Sequence, residues 1–391
     1  MNKYNQPNKK VLFVANLYRH LFTFHLPYIQ MLKDNGCQVD VLAAPDDREV
    51  TNADNCYYWD LSRSPYHFRN IIAYKQIKRL VAKERYDLIH CHTAMAAAIV
   101  RLATRTMRKK YGTKVIYTVH GFYFYKGSPK RYWLPYYSIE KFLSRWTDAI
   151  VLINEEDYNL VLKNGFRNKK TYYLNGVGVN SQRFAHADME TGKKQRSIEG
   201  YTDNQFLMIY VAEYIFRKNH LFLVDASLEL AKKMDDFKIL FVGRGELEQE
   251  IKKYAASVGA DKYIDFLGVR FDLALLLPMC DIFISSSRQE GLGLSVAEAM
   301  FCGLPVIATQ NRGHREMIIH GETGFLFEQE DMADFVKNAD TLYKNPNIRT
   351  EIGRAACLHI QKFKIEQSLR KMAEIYGEML QVQISAIANV E

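Results

Sequence analysis

Short apolar runs alternate with stretches of helical period along most of the chain. Val11–Asn16, Val39–Ala43, Leu88–Cys91, Val115–Val119 and Ala149–Ile153 read as buried strands, each followed by an amphipathic segment. The pattern resumes at Phe206–Val211, Lys238–Val242, Ile264–Leu267, Ile282–Ser285 and Pro305–Ala308. Continuous apolar strands separated by helices predict parallel sheets covered on both faces. Between the two series, Asn180–Thr202 is polar and rich in Lys, Gln, Asp and Gly. The expected organisation is an α/β domain over residues 1–179, a linker over 180–202, and a second α/β domain over 203–365. A C-terminal helix over 366–391 is expected to pack back across both domains. Each domain should be doubly wound, with ligands beyond the carboxyl ends of its strands and in a cleft between the two.

Composition narrows the class without naming a function. The chain has 391 residues, 48% of them hydrophobic and 25% charged, which excludes disordered and collagen-like proteins. No run of about 18 apolar residues exists; the stretch Ala94–Val100 is stopped by Arg101. Met1–Lys10 is polar and basic, unlike a secretory signal. A cytoplasmic protein is expected. Its six cysteines are scattered, with no C-x-x-C pair, so neither a disulfide framework nor a zinc site is indicated. Charge is uneven: residues 1–175 hold 28 Lys+Arg against 14 Asp+Glu, and the remainder 25 against 30. A basic front half suits anionic lipid, a phosphorylated acceptor or nucleic acid, and charge alone does not choose among them.

The densest chemistry lies in Ser285–Met300. A strand ends near Ser285, a loop carries Glu290-Gly-Leu-Gly, and a helix begins near Leu294. Gly291 and Gly293 allow close backbone approach, and a helix start is an anion site. Glu290 in the loop and Glu298 one turn into the helix are placed to serve one ligand. Elsewhere, Lys218 and Arg217 follow a strand, Gly243 opens a short glycine turn after another, and His120 stands at the end of a third. His90 and His92 read as packing groups, and a metal site made from them with His120 has no supporting spacing.

The segment Glu290-Gly-Leu-Gly-Leu-Ser-Val-Ala-Glu298, followed by Gly303-Leu-Pro-Val-Ile-Ala and Gly321-Glu-Thr-Gly-Phe, resembles the family-four retaining glycosyltransferases. The resemblance implies a GT-B fold, two Rossmann-like doubly wound domains facing a central cleft. It implies Glu290 beside the donor sugar and Glu298 on the nucleotide ribose. The main chain of Gly291, Leu292, Gly293 and Leu294 would hold sugar hydroxyls and phosphate, with Lys218, Arg217 and Gly243 also on the donor. Glu213 stands where the family carries an arginine, which leaves Arg217 or another residue to supply the second positive charge. His120 would contact the donor sugar from the opposite domain. His20–Pro27 resembles the capsule and exopolysaccharide branch, with Phe24 and His25 either toward the acceptor or packing the helix start. The implied partners are a UDP-sugar donor, a polyprenyl-diphosphate-linked glycan acceptor and an anionic membrane surface on the inner face of the cell membrane. No nucleic acid, cofactor or metal is implied. The rivals are a sugar-nucleotide epimerase of GT-B-like fold and a non-catalytic basic binding subunit. A Rossmann oxidoreductase is disfavoured because Asn16-Leu-Tyr-Arg-His20, without glycine, follows the first strand.

Overall fold

The computed structural model describes residues 8–386, apart from 47–49, 51, 63, 65 and 185–188. The chain forms two compact units, one running to Gly178 and resuming at Ile365, the other spanning Val179–Lys364. The first unit holds seven strands, β1 (Lys10–Leu17), β2 (Gln38–Ala44), β3 (Asn55–Tyr58), β4 (Leu88–His92), β5 (Lys114–Val119), β6 (Ala149–Leu152) and β7 (Lys170–Tyr173). All pair in parallel in the order β3-β2-β1-β4-β5-β6-β7. Adjacent residues of β1 enter opposite cores. Val11 and Phe13 face helices Leu26–Asp34 and Ile365–Leu380, while Leu12 and Val14 face helices Arg69–Glu84 and Ala94–Thr104. Burial on both faces is why the strand reads as an unbroken apolar run.

The second unit repeats the design with β8 (Phe206–Val211), β9 (Phe237–Val242), β10 (Ile264–Gly268), β11 (Ile282–Ser285), β12 (Val306–Thr309) and β13 (Phe325–Phe327). Its order is β10-β9-β8-β11-β12-β13, again all parallel. Both sheets reverse their winding beside their first strand, between β1 and β4 and between β8 and β11. Such a reversal splays the connecting loops apart at the carboxyl ends and opens a crevice for ligands.

Two expectations need correction. Residues 180–202 are not a linker, because helix Met189–Glu199 lies within them and belongs to the second unit. Arg196, nearly buried, donates to the carbonyls of Met279 (2.6 Å) and Gln205 (2.9 Å) and pairs with Asp281 at 2.7 Å. A polar sequence was thus folded in by one arginine satisfying chain ends that the sheet leaves open. The C-terminal helix Ile365–Leu380 belongs to the first unit alone, where Leu369, Met372, Ala373 and Tyr376 complete a core. Residues 387–391 of that expected helix lie outside the described part.

One buried charge pair staples the first unit. Arg101, fully buried, donates to Glu140 at 2.9 Å and lies 4.5 Å from the centre of the Tyr117 ring. The guanidinium has no water to fall back on, so losing its partner leaves an uncompensated charge in an apolar layer. Glu140→Ala is expected to cost about 3–5 kcal/mol in chemical denaturation. A loss below about 1 kcal/mol would mean that the pair behaves as a solvated one.

Candidate active site

The second unit gathers its charged groups at its switch point. The chain leaving β8 turns through Phe216–Lys218, and the chain leaving β11 runs through Glu290 to helix Leu294–Phe301. Lys218 Nζ donates to Glu290 Oε1 at 2.5 Å. Arg217 Nη1 donates to Glu290 Oε2 at 3.3 Å and to the Gln289 carbonyl at 3.0 Å. Groups outside the motif hold the two loops in place. Tyr210 Oη donates to the Lys218 carbonyl at 2.7 Å and lies 2.8 Å from Ser287 Oγ. Ser286 Oγ donates to the Asn219 carbonyl at 2.8 Å, and the Arg288 amide to the Arg217 carbonyl at 2.9 Å.

Electrostatics then sort the two glutamates. Burial alone would push the Glu290 carboxyl up, but Lys218, Arg217 and His314 outweigh it and hold it down at about 2. Glu290 is therefore ionised throughout the physiological range. Glu298 has only Arg183 to oppose the desolvation, and its carboxyl is pushed up to about 7. His314 is buried with Nδ1 2.7 Å from the Thr309 carbonyl and 3.0 Å from Asn311 Nδ2. Burial draws its pKa below the ordinary value against the pull of Glu290, keeping a neutral ring beside the charged cluster.

The glycines separate by role. Gly293, at φ +97°, precedes the helix and turns the chain so that the amides of Leu294 and Ser295 emerge without intrahelical acceptors. Leu292 is buried, so it offers a ligand only its main chain, whereas Leu294 is partly exposed. Gly243 has a packing reason instead: a Cβ there would sit 2.0 Å from the Ala212 carbonyl oxygen. Glu213 follows Ala212 and is exposed.

In the first unit the carboxyl ends of β1, β4 and β5 carry histidines that sequence spacing did not connect. His20, His25, His92 and His120 bring one ring nitrogen each within 4.8 Å of all the others. His25 stacks on His92 with ring centres 3.7 Å apart, and Phe24 lies 6.0 Å from the His120 ring. Burial lowers all four pKa values, His120 to about 4, so the rings are neutral. His25 is only 2% exposed and faces the other histidines, in line with the packing alternative rather than a place toward an acceptor. Phe24 remains partly exposed. His90 is a packing group as expected, spanning Tyr376 Oη and Thr118 Oγ1 at 2.8 Å each.

Sequence comparison places this geometry in a family. Residues 192–358 match the glycosyl transferases group 1, and residues 28–179 match Glycosyltransferase Family 4. EpsD of Bacillus subtilis (strain 168), named as a glycosyltransferase, is 36% identical over 371 residues, covering 94% of this chain and 96% of EpsD. The chain belongs to the family-four glycosyltransferases. The UDP-Gal:alpha-D-GlcNAc-diphosphoundecaprenol alpha-1,3-galactosyltransferase of Escherichia coli is 26% identical over 321 residues, covering 80% of this chain and 82% of that protein. The crystal structure of Anabaena HepE in complex with UDP and glucose matches with a TM-score of 0.78 at 20% identity, over 95% of this chain and 100% of that one. The fold is GT-B, and transfer in the family is retaining and metal-independent.

For this glycosyltransferase, sequence reasoning had found Glu290, Glu298, Arg217 and Lys218 but not Tyr210, Ser287, Asn311 or His314. One signal was available: Asn311-Arg312-Gly313-His314 follows β12 directly, at a carboxyl end. The raised Glu298 pKa has a testable sign. Between about pH 4.5 and 7 the folded chain keeps a proton that the unfolded chain has lost, so stability falls as pH rises through that window. Glu298→Gln removes this dependence. Thermal denaturation should therefore show the variant gaining on the parent between pH 5 and pH 8, while an unchanged gap would place the carboxylate in ordinary water.

Proposed function

We propose that this glycosyltransferase moves a hexose or N-acetylhexosamine from a UDP-sugar to a polyprenyl-diphosphate-linked glycan during capsule or exopolysaccharide synthesis. The observation that carries the reading is the Arg217–Lys218–Glu290 cluster beside a helix start at the β8–β11 switch point. Two cations sharing one carboxylate leave a net positive site next to free amides, which suits a departing diphosphate. The E. coli relative named above acts on a diphosphoundecaprenol-linked acceptor with UDP-Gal, and HepE was crystallised with UDP, which supports the choice of nucleotide and acceptor class.

On this reading the bond from the anomeric carbon to the diphosphate breaks as the acceptor oxygen bonds to the same face. The acceptor's proton passes to the leaving diphosphate oxygen, which gives retention. Arg217 and Lys218 neutralise that oxygen's charge, aided by the amides of the Gly291–Leu294 loop. Glu290 orients the cations beside the sugar, Glu298 accepts from the ribose hydroxyls, and His120 keeps the donor-sugar contact that the family resemblance implies. Phe24 is assigned to the acceptor. Gly243 serves the donor only indirectly, by permitting the backbone approach at Ala212.

Membrane attachment belongs to the same proposal. Among the described residues no helix is long and apolar enough to cross a membrane. The first unit does expose Tyr66 (93%), Phe68, Ile71 and Ile72 beside exposed Lys75, Lys78 and Arg79. Apolar side chains flanked by cations suit the cytoplasmic face of an anionic bilayer. Co-sedimentation with vesicles containing anionic lipid should capture the chain at low salt and release it at high salt. Failure to bind at low salt would remove the attachment.

The nucleotide is tested by thermal shift with UDP, GDP, ADP and NAD in chelator. A ligand at about 100 times its Kd adds roughly 2.7 kcal/mol, and only UDP should do so; stabilisation by NAD alone, or by none, would sink the assignment. Glu290→Gln should then lower turnover by about 10²–10³, the usual cost of one preorganised electrostatic group, with a much smaller loss in UDP binding. Equal losses in both would contradict the role given to Glu290, and turnover of a UDP-sugar without acceptor would favour the epimerase.

A further inference from the structure

The four-histidine cluster of the first unit is not used by the chemistry just described, apart from His120. Its members come from three separate places: His20 and His25 follow β1, His92 ends β4, and His120 follows β5. Their spacing is informative. His20 Nε2 lies 3.3 Å from His120 Nε2, and His120 Nε2 lies 3.4 Å from His92 Nδ1. A tetrahedral ion with metal–nitrogen bonds of about 2.0–2.1 Å needs nitrogens about 3.3–3.4 Å apart. Two edges of such a tetrahedron are thus already present, and the remaining nitrogens lie within 4.8 Å.

Hydrogen bonding accounts for the cluster only in part, through the His20–His120 and His120–His92 contacts. Both ring nitrogens of His25 are buried without a partner, and so is Nε2 of His92. A neutral imidazole always presents one lone pair, and leaving it unmatched in an apolar interior carries a desolvation cost. His90 offers the contrast within the same neighbourhood: both its nitrogens are engaged, by Tyr376 and Thr118, so it is excluded as a ligand. His20 and His120 are partly exposed while His25 and His92 are buried, which provides a path from solvent to the inner pair.

We propose that His20, His25, His92 and His120 form a binding site for a borderline divalent transition metal of the zinc class. Imidazole nitrogens without a carboxylate select zinc, cobalt or nickel and reject magnesium and calcium, which require oxygen donors. The site uses none of Arg217, Lys218 and Glu290, so those residues still meet the diphosphate, while a metal-bound His120 would give up the donor-sugar contact assigned above. Its consequence is mechanical. A bound ion ties the segment after β1, which carries Phe24, to the ends of β4 and β5. That bearing on the acceptor rests on the role proposed above for Phe24, whereas the metal site itself does not.

The test uses the untagged full chain, freed of metal with chelator and titrated with Co²⁺ and then Zn²⁺. One equivalent of Co²⁺ should give the intense visible d–d absorption of a tetrahedral complex. One equivalent of Zn²⁺ should abolish that absorption and raise the unfolding temperature, while Mg²⁺ should do neither. His20→Ala, at a partly exposed position, should weaken Zn²⁺ binding by at least about 10–100-fold, the loss that follows even removal of an outer-shell partner. His25→Ala should do the same, and His67→Ala, outside the cluster, should change nothing. Absence of one-to-one binding in the parent chain, or parental affinity in both cluster variants, would overturn the proposal. Neither readout depends on a donor or an acceptor, so its failure is distinguishable from failure of the transferase assignment.

Discussion

A carboxylate sunk among buried groups is tenable only if cations come to it, and Glu290 sets that condition for the second unit. Lys218 and Arg217 meet it from the neighbouring loop, and the ion pairs bind together two segments that leave different strands. Breaking such a buried pair leaves a charge with no solvent to recover it. The arrangement therefore holds the cations in position before any anion arrives. An anion entering such a site meets donors that need no reorganisation, which is where electrostatic stabilisation is strongest.

Supporting groups make this geometry rigid. Tyr210 and Ser286 hold the carbonyls of Lys218 and Asn219, and Asn311 donates to the Ser287 carbonyl at 3.0 Å while capping the helix that carries His314. Each of these side chains spends at least one hydrogen bond on main chain. The site residues are thereby held through their backbones, and their side chains stay available to a ligand.

The two units use one construction for opposite electrostatic ends. Each is a parallel sheet that reverses winding beside its first strand, and each collects polar side chains at the carboxyl ends flanking that reversal. In the second unit these are formal charges, two cations on one carboxylate. In the first they are neutral imidazoles crowded so closely that protonating any one would be opposed by burial and by its neighbours. Crowded neutral rings are poor at holding anions and suited to a borderline transition-metal ion. The difference lies in the side chains, since the backbone plan is shared.

Periodicity made ten of the described strands legible: the nine interior ones, where burial of both faces required almost every residue to be apolar, and the edge strand β10. The edge strands β3, β7 and β13 escaped it: they are short, and β3 and β7 are partly or largely exposed, which removes the signal. The glutamate–glycine loop was legible too, because loop, acid and helix start are contiguous and their chemistry is local. Polarity misled at 180–202, where Arg196 is buried by the Met279 carbonyl and the Asp281 carboxylate, both far along the chain. By itself, then, the sequence determined the two parallel sheets, the donor-side motif and the family. Tertiary structure alone decided which cations serve Glu290, why Glu298 differs from it, and that four histidines spread over a hundred residues converge. Those depend on which strands become neighbours, and parallel pairing across a switch point joins segments that no local spacing connects.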